Sequence, residues 1–159
     1  MIFVTVGSQK FPFDRLLRQV DRMAKGRIVT EEVVVQSGHG GYAPRFCRAR
    51  AFYDREEFGA LLEACDVLIA HGGAGTMVEA AKRGKRTVAV PRLARYGEHV
   101  DDHQLELVRR LHQLGLVYAC LEVEELGEAL RWVRSHPPKP FRSNTEAFLA
   151  SLDQFLGAL

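Results

Sequence analysis

Short apolar runs alternate along this chain with segments whose apolar residues recur at helical spacing. The run at residues 67–70 is continuously apolar, which is typical of a strand buried on both faces of a parallel sheet. Helical spacing is clearest in Phe13, Leu16, Leu17 and Val20. Alternation of this kind predicts one doubly wound, mostly parallel α/β sheet with right-handed crossovers.

The positions of glycine and proline, together with the spacing of apolar residues, predict where each helix and strand begins and ends. Strands are predicted at residues 2–6, 33–36, near 51–53, 67–70, 87–90 and 116–119. Helices are predicted at residues 13–25, 55–64, 76–83, 100–114, 123–134 and 145–156. Prolines at 137, 138 and 140 detach the last helix, so we divide the chain into a domain of residues 1–136 and a tail of residues 137–159. The apolar face of that last helix could pack on this sheet or on a membrane-bound partner.

Length and charge exclude several classes of protein. With 159 residues, 47% of them hydrophobic, the chain fits one compact domain. A net charge of +2 is too balanced for a polybasic protein, so we expect no nucleic-acid partner. Three cysteines without C-x-x-C spacing favour a reducing compartment over a disulfide framework or zinc ribbon. Without a charged leader or an apolar run of ~18 residues, we expect neither secretion nor a membrane span.

The most informative segment is H-G-G-A-G-T at residues 71–76, between the most apolar strand and a helix. Ligands of open parallel sheets bind at the carboxyl ends of the strands, where the helix N-terminus favours anions. Glycines let a backbone approach a diphosphate without obstruction by Cβ atoms. The loop matches neither G-x-G-x-x-G nor a P-loop, which disfavours an NAD site. We therefore predict a diphosphate cradle, in which His71 is either a ligand or a structural residue.

Two neighbouring features allow both structural and functional interpretations. The pattern T-x-x-E at Thr76 and Glu79 is typical of a capping box, but Glu79 could also bind a ligand. Arg92 and Arg95 follow a strand end in a stretch that has six cations and no carboxylate. Either arginine could face a phosphate or a membrane surface, whereas the ordinary explanation is a solvated surface.

The polar segment at residues 98–104 opens a long helix. His99 and His103 are four residues apart, yet the HExxH glutamate and a third ligand are missing, so no metal is expected. Asp102, His103 and Gln104 could instead bond sugar hydroxyls, or the acidic residues could simply favour the helix N-terminus. No Ser-His-Asp order or paired-carboxylate pattern can be assigned, which is typical of a binding half more than of a complete catalyst.

Four segments in this order carry a family resemblance: V-T-V-G-S at 4–8, Q-S-G at 36–38, and residues 66–76 and 99–104. They resemble the carboxyl-terminal, donor-binding domain of family 28 glycosyltransferases, over most of the chain. The resemblance is greatest to the small single-domain branch of the Alg13, PssE and EpsE type. It implies a Rossmann-like sheet that is one half of a GT-B fold, with residues 1–136 as the nucleotide-sugar-binding domain.

The resemblance also implies roles for individual residues. Gly7 and Ser8 would lie near the phosphates, and Glu79 would bind the ribose hydroxyls. Phe52 or Tyr53 would contact the uracil, while Asp102, His103 and Gln104 would meet the sugar and nucleotide. The candidate substrate-binding residues are Gly7, Ser8, Gln36, Gly38, Phe52, His71, Gly72, Gly73, Gly75, Thr76, Glu79, Arg92, Asp102, His103 and Gln104.

The implied activity is the donor-binding part of an inverting glycosyltransferase that moves a sugar from a UDP-sugar to a lipid-linked saccharide in polysaccharide or glycan biosynthesis. A membrane-anchored Alg14- or PssD-like subunit would supply the acceptor site and the catalytic base. The chain would then work at the cytoplasmic face of the membrane, with no cofactor or metal, and self-association is left open. The alternative is a non-catalytic module that binds or senses nucleotide sugars.

Overall fold

Six parallel strands form one sheet at the centre of the protein. The computed structural model describes residues 1–142, 147 and 150. The strands are β1 (Ile2–Thr5), β2 (Val33–Gln36), β3 (Arg48–Arg50), β4 (Val67–His71), β5 (Arg86–Val90) and β6 (Tyr118–Ala119). The helices are α1 (Asp14–Lys25), α2 (Arg55–Ala64), α3 (Ala74–Lys82), α4 (His103–Gln113) and α5 (Leu126–Ser135). The strand order is β3-β2-β1-β4-β5-β6, and every pairing is parallel.

Helices cover both faces of the sheet, so the central strands are buried throughout. Helices α1 and α5 share one core with alternate strand residues such as Val4 and Ile69. Helices α2, α3 and α4 pack on the other face, around Phe3, Leu68 and Ala89. These two cores confirm the predicted doubly wound α/β architecture.

The strand order reverses between β1 and β4, which are neighbours in the sheet. The chain leaves β1 toward β2 on one side and leaves β4 toward β5 on the other, so the loops after β1 and β4 diverge. A crevice opens at the carboxyl edge between such loops, and this is where ligands of doubly wound sheets bind.

Some predicted element bounds differ from the structure. The short strand lies at Arg48–Arg50, not near 51–53, because it is a charged edge strand that carries no apolar run. Helix α4 begins three residues later than predicted, since Asp101 and Asp102 form local hydrogen bonds with the backbone of His103 and Ala94. The predicted helix at 145–156 lies outside the described residues.

The predicted capping box at Thr76 and Glu79 is wrong. Helix α3 begins at Ala74, and its N-cap, Gly73, offers no side chain. The capping box in the structure lies one helix earlier. There Asp54 accepts a hydrogen bond from the Glu57 amide (2.8 Å), and Glu57 accepts one from the Asp54 amide (3.1 Å).

Among the helices that the structure describes, we find none long and apolar enough to cross a membrane.

Candidate functional site

The crevice between the loops after β1 and β4 is filled at its base by His71. A Cβ added to Gly7 would lie 2.4 Å from Nε2 of His71, and one added to Gly73 would lie 2.2 Å from Cε1 of the same ring. Gly7 also has a φ of +78°, a conformation that residues with a Cβ rarely adopt. The two loops therefore approach the imidazole from both sides only because both positions are glycine.

His71 is almost completely buried and carries no charge at neutral pH. Burial is the main cause of its lowered pKa, about 3, and electrostatic interactions with Arg92 and His99 lower it further. Its Nδ1 atom is buried without a hydrogen-bond partner among the described residues. A neutral imidazole here can donate or accept one hydrogen bond with a ligand but cannot form an ion pair with an anion.

The N-terminus of α3 follows His71 directly and is uncapped. The first hydrogen bond of the helix runs from the Met77 amide to the Gly73 carbonyl (3.1 Å), so the amides of residues 74–76 have no acceptor inside the helix. No side chain in the described part of the protein accepts from them. Three free N–H groups and the positive end of the helix dipole make this a site for an anion.

Gln104 holds the loops after β4 and β5 together. Its Oε1 accepts hydrogen bonds from the amides of Gly72 (3.1 Å) and Arg92 (3.0 Å). A Cβ on Gly72 would lie 2.9 Å from the side chains of Gln104 and Val108, so this glycine lets α4 pack against the loop. The Nε2 of Gln104 is buried and unpartnered among the described residues. The structure thus assigns Gln104 a positioning role in the cradle, with one donor left over.

A cavity of about 360 Å³ lies between α2 and α3, next to the uncapped helix end. Three predicted residues line it: Gly75, Thr76 and Glu79. Sequence reasoning missed the other wall, which α2 supplies through Arg55, Phe58 and Gly59. Nothing in the sequence of α2 marks it as a ligand-binding element. Its contribution follows from the order of the strands, which places α2 beside α3.

The structure corrects the interpretation of Arg92 as a residue that faces a phosphate or a membrane. Its side chain is completely buried and donates hydrogen bonds to the carbonyls of Val6, Phe11 (2.7 Å) and Glu98 (3.2 Å). Burial lowers its pKa to about 10, so it stays a cation at neutral pH. Arg92 ties the loops after β1 and β5 together beneath the crevice.

Four other candidates surround the end of β2 and the start of the loop after β1. Gln36 is buried. Its Nε2 donates a hydrogen bond to Thr5 Oγ1 (3.0 Å), and its Oε1 accepts one from the Tyr53 amide (3.0 Å), so the side chain stabilises the loop instead of facing solvent. Gly38 has a φ of +69°. Phe52 is 41% exposed and packs edge-on against His39, outside the lining of the α2–α3 cavity. Ser8 is exposed beside Gly7.

The segment before α4 brings together the ligand types that a metal would need. Atoms of His99, Asp101 and His103 lie within 4.8 Å of one another, so Asp101 is a third potential ligand that the sequence did not reveal. In the structure Oδ1 of Asp101 contacts Nδ1 of both histidines, at 3.2 Å for His99. Hydrogen bonds from the backbone and ring of His103 lower the pKa of Asp101. Asp102 accepts from the Ala94 amide (2.8 Å) and is exposed.

Comparison with known families gives a match over nearly the whole chain. The model of the glycosyltransferase family 28 C-terminal domain matches residues 1–156. The chain belongs to this family. Its all-parallel sheet is the Rossmann-like half of a GT-B fold, as the resemblance implied.

Two curated relatives are similar to this family 28 domain in sequence. The mouse UDP-N-acetylglucosamine transferase subunit ALG13 is 29% identical over 127 residues, which is 74% of this chain and 10% of the mouse protein. The human protein of the same name is 28% identical over 128 residues, or 75% of this chain and 11% of its own length. This domain thus matches only about a tenth of each curated relative.

Solved structures share the fold. An NMR structure of ALG13 matches with a TM-score of 0.63 and 18% identity, over 95% of this chain and 94% of that one. The crystal structure of the kitacinnamycin glycotransferase has the same TM-score at 17% identity, over 99% of this chain but 39% of the other. More than half of that second chain has no counterpart here.

Proposed function

We propose that this family 28 domain is the donor-binding part of an inverting glycosyltransferase that uses a UDP-sugar and extends a lipid-linked saccharide. One observation carries the proposal: the uncapped amides of residues 74–76 adjoin a cavity between α2 and α3. A diphosphate fits the amides and a nucleoside fits the cavity. UDP-N-acetylglucosamine is the first donor to test, because the curated relatives are named as subunits of a transferase for that sugar.

The chemistry follows from the charge that develops during transfer. As the bond between the anomeric carbon and the diphosphate breaks, negative charge collects on the departing UDP. Fixed amides at a helix N-terminus stabilise that charge without reorganising, which is the logic of an oxyanion hole. This explains how donor activation can proceed without a bound metal.

The acceptor hydroxyl attacks the anomeric carbon from the opposite side, so its site must lie across the crevice. We assign that site and the general base to a membrane-anchored partner of the Alg14 or PssD type, acting at the cytoplasmic face of the membrane. Support comes from the unmatched larger part of the kitacinnamycin glycotransferase and from the absence of a catalytic carboxylate pair in the sequence. In this proposal, the crevice of this chain forms the donor side of the active site, and the partner forms the acceptor side.

Titration calorimetry tests donor binding directly. We expect UDP and UDP-N-acetylglucosamine to bind the purified chain, NAD to give no heat, and EDTA to leave the UDP affinity unchanged. A dependence of UDP binding on added divalent cation would contradict the metal-free cradle and would point to His99, Asp101 and His103. Binding of NAD in preference to UDP would overturn the proposal as a whole.

Sugar transfer is tested by expressing the chain with the candidate membrane subunit. We expect transfer to a lipid-linked acceptor with both chains and little with either alone. Donor binding without transfer, under every acceptor and partner tried, would favour a non-catalytic nucleotide-sugar module.

Glu79→Gln tests the ribose contact. Glu79 is exposed and lines the cavity, so we expect about a tenfold loss of UDP affinity, typical of a lost hydrogen bond to a charged group, with the melting temperature nearly unchanged. Glu63→Gln is the matched control. Both carboxylates pair with Arg83, at 3.0 Å for Glu79 and 2.9 Å for Glu63, but only Glu79 lines the cavity. Equal UDP affinities for the two variants would exclude Glu79 as a ribose ligand.

A further inference from the structure

An open hollow of about 690 Å³ runs along the outer side of α1, where the loop of residues 41–46 descends beside the helix. It is separate from the cavity between α2 and α3, which lies on the other face of the sheet. Its lining is rich in cations with long side chains, which are Arg18, Arg22, Lys25 and Arg45. We call this surface the α1 hollow.

Helical spacing and one buried carboxylate bring these cations together. Arg18, Arg22 and Lys25 follow one another at intervals of four and three residues, so they share one side of α1. Arg45 joins them because the loop is anchored to Asp21, which accepts hydrogen bonds from the amides of Arg45 (3.0 Å) and Phe46 (2.8 Å).

Two carboxylates, Asp14 and Asp21, also line the hollow, so the cations outnumber the carboxylates there by four to two. Asp21 is 2% exposed and also accepts a hydrogen bond from the Tyr42 hydroxyl. Burial acts to raise the pKa of Asp21, but the hydrogen bonds from Tyr42, Phe46 and Arg45 outweigh it and hold the pKa below its ordinary value. The carboxylate is therefore ionised and anchors the loop, while the four cations are exposed.

The four cations differ from several exposed arginines of the protein. Arg48, Arg83 and Arg134, for example, each pair with a glutamate. In the part of the chain that the structure describes, none of the four hollow cations has a carboxylate partner. Two of them contact aromatic rings: Arg18 lies 4.8 Å from the ring centroid of Tyr42, and Lys25 lies 5.6 Å from that of Phe46. The hollow is thus a surface with a net positive charge.

Exposed apolar groups lie at the same end of α1. Phe46, next to Lys25, is 54% exposed, and Ile28, three residues beyond the end of the helix, is 66% exposed. An aromatic ring among lysine and arginine side chains fits the boundary of a lipid bilayer, where rings lie at headgroup level and cations meet the phosphates.

We propose that the α1 hollow docks onto an anionic membrane surface. The cations from Arg18 to Lys25 span seven residues of helix, or roughly 10 Å, which is more than one phosphate group bridges but suits several headgroups side by side. The hollow is open along its length, which fits a broad surface better than a small enclosed ligand. This contact is independent of donor binding and would hold the chain at the membrane directly, in addition to any partner subunit.

Vesicle co-sedimentation of the full chain tests the proposal. We expect binding to phosphatidylcholine vesicles that contain phosphatidylglycerol, weak binding to phosphatidylcholine alone, and release at high salt. Each cation near such a surface contributes roughly fivefold in affinity, so Arg22→Glu with Lys25→Glu is expected to weaken binding by at least about tenfold. Phe46→Ala is expected to weaken it several-fold, because it removes the exposed ring.

The matched control is the same double charge reversal at Arg109 and Arg110, which are exposed on α4, on the other face of the sheet. It should leave vesicle binding within about twofold of the wild type. UDP affinity should be unchanged in both double variants, which shows that they fold and separates this test from that of the donor site. Equal vesicle binding by both double variants would overturn the proposal. So would no binding to anionic vesicles, or saturable binding of inorganic phosphate in the hollow without membrane preference.

Discussion

Arg92→Ala is expected to lower the free energy of unfolding by about 3–5 kcal/mol, enough to unfold much of the protein at 37 °C. The substitution leaves the carbonyls of Val6, Phe11 and Glu98 without their common donor inside the protein, and it opens a cavity where the side chain was. Urea denaturation followed by circular dichroism measures the loss.

Two further variants make that expectation specific. Arg92→Lys should restore little, because an ammonium group cannot reach three carbonyls in the planar arrangement of a guanidinium. Arg95→Ala is the control, since Arg95 is exposed three residues away and its guanidinium lies over the ring of Tyr96; a loss below about 1 kcal/mol is expected there. If Arg92→Ala proved as mild as Arg95→Ala, Arg92 would not be the tie between the loops that its contacts indicate.

Gly7→Ala is expected to destabilise the protein by about 2–5 kcal/mol and to abolish measurable UDP binding. A left-handed φ costs a residue with a Cβ about 1–2 kcal/mol, and the overlap with the buried ring of His71 adds about 1–3 kcal/mol. Moving the imidazole would also push it toward Gly73 and the free amides of α3. Thermal unfolding and calorimetric titration with UDP give the two readouts.

Gly84→Ala separates the cost of a positive φ from the cost of steric overlap with a neighbouring side chain. Gly84 has a φ of +64° but open space around it, so its substitution should cost only the backbone part, about 1 kcal/mol, and leave UDP binding intact. In the double variant Gly7→Ala with His71→Ala, the overlap is absent, so the combined loss of stability should be smaller than the sum of the two single losses. Additive losses would show that the ring of His71 is not what makes glycine necessary at position 7.

The central strands were the most predictable part of the fold. Predicted strands at 33–36 and 67–70 agree with the structure to within one residue, because continuous apolar runs are the direct signature of burial on both faces. The edge strand β3 was misplaced, since its burial and its pairing depend on a neighbour 14 residues earlier in the chain. The pattern T-x-x-E was misleading at Thr76, because the glycine-rich loop begins the helix two residues before it.

The candidate site was predictable as a set of loops but not as a set of contacts. The glycine-rich segment after β4 was identified from residue types alone, since glycine at a strand–helix junction has few other uses. Arg92 and Gln36 were chosen as ligand residues because they are polar at strand ends, and Gln104 because it lies in the polar segment that opens a helix. All three side chains turn inward and satisfy backbone groups of neighbouring loops, and such partners lie up to 86 residues away in sequence.

The sequence by itself determined the α/β class, the central strands and the glycine-rich loop between β4 and α3, because burial on two faces and the use of glycine are local properties of the chain. Tertiary structure decided the rest: the placement of α2 as the second wall of the cavity, the burial of Arg92, and the gathering of four cations beside Asp21. The physical reason is the order of the strands. It sets which distant loops and helices become neighbours, and polar side chains then take their hydrogen-bond partners from those neighbours.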